Sequence, residues 1–155
     1  MRFVLLLLAA SLASCPANTV VPTDPSVPVP TTPTDETVPA VVKEVNAYRA
    51  KAGLPALTHD PLLTKAATRH AKDMAAYNNL NHVGSDGSSF SKRARDAGFD
   101  MTGGGEIIAG SGNPIQAVQL WSRSSGHNAQ MLTRVYKYIG GAVAGDYGCV
   151  VFGNK

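Results

Sequence analysis

The chain is 155 residues long with a formal charge of +3, an apolar fraction of 44% and a charged fraction of 16%. These are globular values, and they leave room for one core of ordinary size but not for two domains. The charge is small and carries no basic stripe: Lys43, Arg49, Lys51, Lys65, Arg69, Lys72, Lys92, Arg93 and Arg95 are scattered, mostly on what read as solvated helix faces, so nucleic-acid binding is set aside.

Met1 and Arg2 form a minimal positive region and Phe3 to Ala10 an apolar one. Leu12-Ala13-Ser14-Cys15 then places small residues before a cysteine. This pattern predicts a signal peptide over residues 1–14, its apolar run being far shorter than the roughly 20 residues that cross a bilayer. The tetrad resembles a bacterial lipobox, which implies acylation of Cys15 and attachment to a membrane through it. Residues 15–37 follow with prolines at 22, 25, 28, 30 and 33, and read as an extended tether. The folded domain is expected over 38–155. The only other cysteine, Cys149, lies among Gly148, Val150, Val151 and Phe152 and reads as a buried, inert thiol in a strand. With Cys15 acylated, no disulfide forms within the chain.

Val41, Val42, Val45 and Tyr48 recur at helical spacing, with Gly53 as the stop, and predict a first helix. Asp60-Pro61 opens a second and longer helix, with Leu63, Ala66, Ala67, His70, Met74 and Tyr77 on one face. A third runs from Ser88 or Ser89 through Arg95, with Phe90, Ala94 and Ala97 inward and Gly98 closing it. Asn113-Pro114 caps a fourth that carries Ile115, Val118 and Trp121. The period then changes. Tyr136 to Ala144 and Tyr147 to Phe152 predict two strands joined by a primed turn at Gly145-Asp146, and a shorter strand is expected at Glu106 to Ala109. Helices lead and antiparallel strands close the chain, the order of an α+β fold.

Three residues stand out for chemistry. His82 follows the second helix and His127 follows the fourth, both at element ends where side chains face clefts. Glu106 begins an apolar strand after Gly103-Gly104-Gly105, where a charge is expensive unless paired or bound. Two imidazoles and a carboxylate can ligate zinc or act as acid and base, but residues some twenty positions apart meet only if the fold brings them together. A scaffold of satisfied histidines and a buried ion pair stays open at this level. His70 reads as a core histidine and His59 as an exposed loop residue. The glycine run lacks the Gly-Lys-Ser/Thr of a phosphate loop, and Ser124 and Ser125 read as caps, not nucleophiles.

Val45-Asn46-Ala47-Tyr48-Arg49, Gly53-Leu54-Pro55-Ala56-Leu57, Gly105-Glu106-Ile107-Ile108, Trp121 through His127 and Tyr138-Ile139-Gly140-Gly141-Ala142 occur in an order that resembles the CAP superfamily. This is the SCP-like domain of cysteine-rich secretory proteins, antigen 5 and plant pathogenesis-related proteins, here in its compact bacterial form. The resemblance spans about Val41 to Gly153. It implies a three-layer α-β-α sandwich with a C-terminal antiparallel sheet and a central cleft lined by a His-Glu-Glu-His tetrad. His82, His127 and Glu106 take three of those positions. The fourth falls on Ser124, so the tetrad is incomplete, and Ile107 replaces the asparagine usual after the glutamate.

The resemblance further implies an exported protein, lipid-anchored to the cell envelope or extracellular. It would act as a monomeric binding module for a divalent cation, zinc or magnesium, at His82, Glu106 and His127, or for a small apolar ligand or envelope component. An envelope interaction or adhesion protein is the first alternative, and a weak hydrolase using the same His/Glu cleft is the second.

Overall fold

The computed structural model describes residues 38–155; the signal peptide, Cys15 and the tether lie outside the described residues. The helices are α1 (Ala40–Lys51), α2 (Pro61–Tyr77), α3 (Phe90–Asp96), α4 (Pro114–Arg123) and α5 (Ser125–Leu132). The strands are β1 (Thr58–His59), β2 (Gly103–Ala109), β3 (Tyr138–Ala144) and β4 (Tyr147–Asn154).

Local chemistry sets the helix ends. The Asp60 carboxylate accepts from the backbone N–H of Leu62 at 2.8 Å, with Pro61 in the first turn, and Ser89 and Asn113 cap α3 and α4 through the N–H groups of Lys92 and Gln116. Gly53 and Gly98 follow α1 and α3 with φ of +69° and +101°, values that favour glycine, so both helices stop where the sequence predicts.

The four strands form one sheet in the order β1-β3-β4-β2, with β1 parallel to β3 and the remaining pairs antiparallel. Ala144 pairs with Tyr147, so Gly145-Asp146 is a two-residue hairpin loop in which only Gly145 takes positive φ, the pattern of a II′ turn. Alternation along β2 and β4 sorts the core into two halves. Ile107, Ala109, Val150 and Phe152 pack with Val41, Val42, Val45, Val118, Trp121 and Met131 on the α1, α4 and α5 side. Ile108, Cys149 and Val151 pack with Leu63, Ala67, Met74 and Ala94 on the α2 and α3 side. The expected α-β-α sandwich results. Gly140 and Gly141 of β3 make its close packing feasible: a Cβ on Gly140 would collide with the backbone of Leu63 and Thr64 in α2, and one on Gly141 would come within 2.8 Å of Val41 in α1.

Several expectations need correction. Helix α5 has no counterpart among the predicted elements, so His127 lies inside a helix and not past one. Strand β1 is two residues long, too short for any period to announce it; His59 therefore belongs to a strand, half-buried, with its ring Nε2 2.8 Å from Thr64 Oγ1. Strand β3 starts at Tyr138, while β2 starts at Gly103, because glycines pair with β4 through backbone alone and leave no side-chain pattern. Tyr77 and Ile115 are 66% and 54% exposed. Tyr77 is the last residue of α2, and Ile115 lines a shallow groove between α1 and α4 instead of the sheet. Arg49 and Arg93, read as solvated, are buried, because each falls on the inward stripe of its helix: Val42, Val45, Arg49 and Phe90, Arg93, Ala97.

Candidate functional site

Glu106 projects from β2 toward α2 and α3, with a side chain only 1% exposed. Its Oε2 accepts from Nη2 of Arg93 at 2.7 Å, and its Oε1 accepts from Nδ1 of His82 at 2.9 Å. Arg93 is equally buried. Its Nη1 also donates to the carbonyl of Ser88, and its Nη2 to the carbonyl of His82 at 3.1 Å. One guanidinium thus binds the sheet carboxylate and both ends of the 82–88 loop. That loop is fixed independently by Gly87, at φ +77°, whose N–H bonds the carbonyl of Gly84, and by Asp73, which accepts from the backbone and hydroxyl of Ser85. The Ser88 hydroxyl and N–H, with Arg69, hold the Asp86 carboxyl well below the usual carboxylate range.

His82 is held from behind and open in front, its side chain 54% exposed. A carboxylate only accepts, so the Glu106 contact places a proton on Nδ1, while Nε2 makes no hydrogen bond among the described residues. His127, in the first turn of α5, is half-buried. Burial, and then the neighbouring His82, push its pKa down, so the His127 ring favours the neutral form. His70 approaches the same oxygen, Oε1, of the Glu106 carboxylate. It is fully buried, with Nε2 3.8 Å from Glu106 Oε1; neither ring nitrogen makes a hydrogen bond of sound geometry, although the backbone of Asn81 acts on the ring. Burial pushes the His70 pKa down, against the pull of Glu106. The Cys149 thiol, also buried, lies 3.6 Å from Glu106 Oε2, and burial followed by that carboxylate pushes its pKa well up.

The structure therefore joins His82 to Glu106 directly and places His127 within range of the charge of His82. Ser124 is the break between α4 and α5; it occupies the cap position, but its side chain makes no cap bond. Ile107 points to the opposite face of β2, fully buried under α1 and α4, where an amide would need a partner of its own. Among the described residues, no group of three or more His, Cys, Asp or Glu side chains stands as a ready metal cluster. Five concavities of about 100 to 550 Å³ mark the surface, and none of the five is lined by His82, Glu106 or His127. His82 and His127 therefore lie outside these hollows, with Glu106 buried behind His82. Sequence reasoning missed Arg93 and underrated His70; the signal was present in the inward stripe of α3, where an arginine replaces an apolar residue.

The model of the CAP family, described as the cysteine-rich secretory protein family, matches residues 42–152. Over 104 residues the chain is 32% identical to YlbC of Bacillus subtilis (strain 168), an uncharacterized membrane protein; this covers 66% of the chain and 30% of that relative, so the chain spans under a third of its length. An extracellular protein containing an SCP domain from Bacillus anthracis superposes with a TM-score of 0.70 at 25% identity, covering 74% of this chain and 39% of that one. An outer surface protein from Borrelia burgdorferi shares the fold with a TM-score of 0.66 at 22% identity, covering 74% and 90% of the two chains.

Two outcomes follow from the buried pair. Replacing Arg93 by Met leaves the Glu106 charge without its counter-ion, and urea unfolding should show a loss of about 3–5 kcal/mol. Adding Glu106→Gln to Arg93→Met should recover part of it, and equal losses in the single and double variants would refute a charge-based role. His70 supplies a pH dependence. Its folded pKa lies below the ordinary 6.5, so the unfolded chain takes up a proton that the folded chain refuses. The stability contribution is complete above about pH 6.5 and should fall as the pH drops from there toward the lowered value. His70→Gln should flatten that part of a stability–pH curve, and an unchanged slope would assign the proton elsewhere.

Proposed function

The chain belongs to the cysteine-rich secretory protein (CAP) family, and from that premise we propose that it is an extracytoplasmic binding module that takes a divalent cation, best zinc, on the imidazoles of His82 and His127. The observation that carries the reading is the 2.9 Å contact from His82 Nδ1 to Glu106, which orients the ring and keeps Nε2 clear of described partners, with a second imidazole nearby whose pKa burial pushes down. Metal-binding histidines characteristically donate their other ring N–H to a carboxylate in this way. Glu106 fits as that supporting carboxylate and not as a direct ligand, because Arg93 and His82 already engage its two oxygens. Two imidazole ligands suit zinc better than magnesium, which prefers oxygen ligands. Bound zinc would supply a positive charge with open positions for an anionic or carbonyl group of a partner.

The geometry supports binding over hydrolysis. The Glu106 carboxylate is neutralised by Arg93 and is poorly disposed to act as a base, and the Cys149 thiol is buried and held protonated. Export accords with relatives described as membrane, extracellular and outer surface proteins, and the Leu12 to Cys15 tetrad supports a lipid anchor at Cys15.

Calorimetric titration of zinc into protein purified without a chelating tag should show one saturable site and a raised melting temperature. His82→Ala and His127→Ala should each abolish both, and Glu106→Gln should weaken binding about 10- to 100-fold. A wild type that neither takes up zinc nor gains thermal stability would sink the proposal. For the anchor, Cys15→Ser should move the chain from the membrane to the soluble fraction of a bacterial host; unchanged partition would remove lipidation from the reading.

A further inference from the structure

Arg49 is a buried cation with no acidic partner among the described residues. It is 1% exposed at the C-terminal end of α1, its Nε donates to the carbonyl of Pro55 at 3.1 Å, and its Nη1 donates to the carbonyls of Met131 and Thr133 at 2.7 and 2.8 Å. Burial, and then the charge of Arg134, push its pKa down, yet a guanidinium remains protonated under such pressure. It borders the largest of the five concavities, of about 550 Å³. Arg134, Lys137, Tyr136 and Tyr138 share that wall, and no Asp or Glu does. Arg134 and Lys137 are exposed, and neither has a carboxylate partner among the described residues. The Tyr136 hydroxyl donates to Gln130, whereas the Tyr138 ring packs on the α2/α3 side of the sheet, edge-on to Phe99 and beneath Lys155.

Three backbone carbonyls account for Arg49 alone, as a tie between α1 and the end of α5. They do not account for two further cations on the same concave wall, where like charges repel and no acid offsets them. We propose that this concavity is an oxyanion site for a phosphate group, with Arg134 and Lys137 making the charged contacts and Arg49 supplying positive potential from beneath. Three cations exceed what one carboxylate requires and match a group with several anionic oxygens. The site is independent of the histidine pair: Thr58 of the edge strand β1 lines it, whereas Glu106 lies on β2 at the opposite edge of the sheet. The phosphate can belong to a soluble ester or to a lipid headgroup.

The test uses the full chain carrying Cys15→Ser, so that no acyl group holds it to a vesicle. Inorganic phosphate titrated by calorimetry is one arm; co-sedimentation with vesicles containing phosphatidylglycerol, against neutral phosphatidylcholine vesicles, is the other. Saturable phosphate binding alone identifies a soluble source, and binding to the anionic vesicles identifies a headgroup. In either arm Arg134→Glu/Lys137→Glu should weaken binding at least about tenfold. Lys51→Glu/Arg123→Glu, with the same change in net charge away from the concavity, should stay within about twofold of the parent. No saturable binding in either arm, or equal losses in the two variants, would overturn the proposal.

Discussion

A carboxylate on the covered face of a strand must find a counter-charge, and in this domain that requirement organises an entire corner of the fold. Glu106 is buried between β2 and the α2/α3 layer, where an unpaired charge would cost several kcal/mol. Arg93 meets it, and to do so α3 must present its inward stripe at that height on the sheet. The same guanidinium then has donors left for the carbonyls of His82 and Ser88, so the loop between α2 and α3 is fixed by the group that neutralises the strand. The orientation of His82 follows as a third consequence. Its ring is exposed, yet it is held through Nδ1 by an acceptor that cannot move.

The α+β element order was legible in the sequence because each strong signal was local: Asp60-Pro61, Ser89 and Asn113-Pro114 as helix starts, Gly53 and Gly98 as stops, and alternation through Val150 and Val151; the α-β-α layering was implied by the family resemblance. What stayed hidden had no local signature. Helix α5 follows α4 after the single extended residue Ser124, and its short span buries only Met131 fully, too little for a period to register. Strand β1 exists because the N–H groups of Thr58 and Asp60 reach the carbonyls of Lys137 and Ile139, a long-range fact. The site divides in the same way. His82, Glu106 and His127 could be singled out by residue type and position, but the arginine behind them could be found only by asking why a cation stands where its helix is otherwise apolar.

Loss of the second acid at Ser124 and the charge state of Glu106 belong together. With its carboxylate engaged by an arginine and an imidazole, Glu106 leaves the rings of His82 and His127 as the polar groups nearer the surface. On the proposed reading, that is a softer donor set than two free carboxylates would make, and it suits a nitrogen-preferring cation. Arg49 presents the complementary situation on the other side of the sheet: a charge satisfied only by carbonyl dipoles, which leaves its field uncancelled at the neighbouring surface.

Trp121 adds a spectroscopic consequence. It is the chain's one tryptophan, 1% exposed, and its indole N–H donates to the carbonyl of Ile108 at 2.8 Å, two residues along β2 from Glu106. The intrinsic fluorescence of the domain is therefore dominated by one dry ring clamped to the strand that carries the site. Its emission maximum reads a single contact between α4 and β2, and a shift in that colour on adding a metal or changing pH reports movement of β2 without any label being introduced.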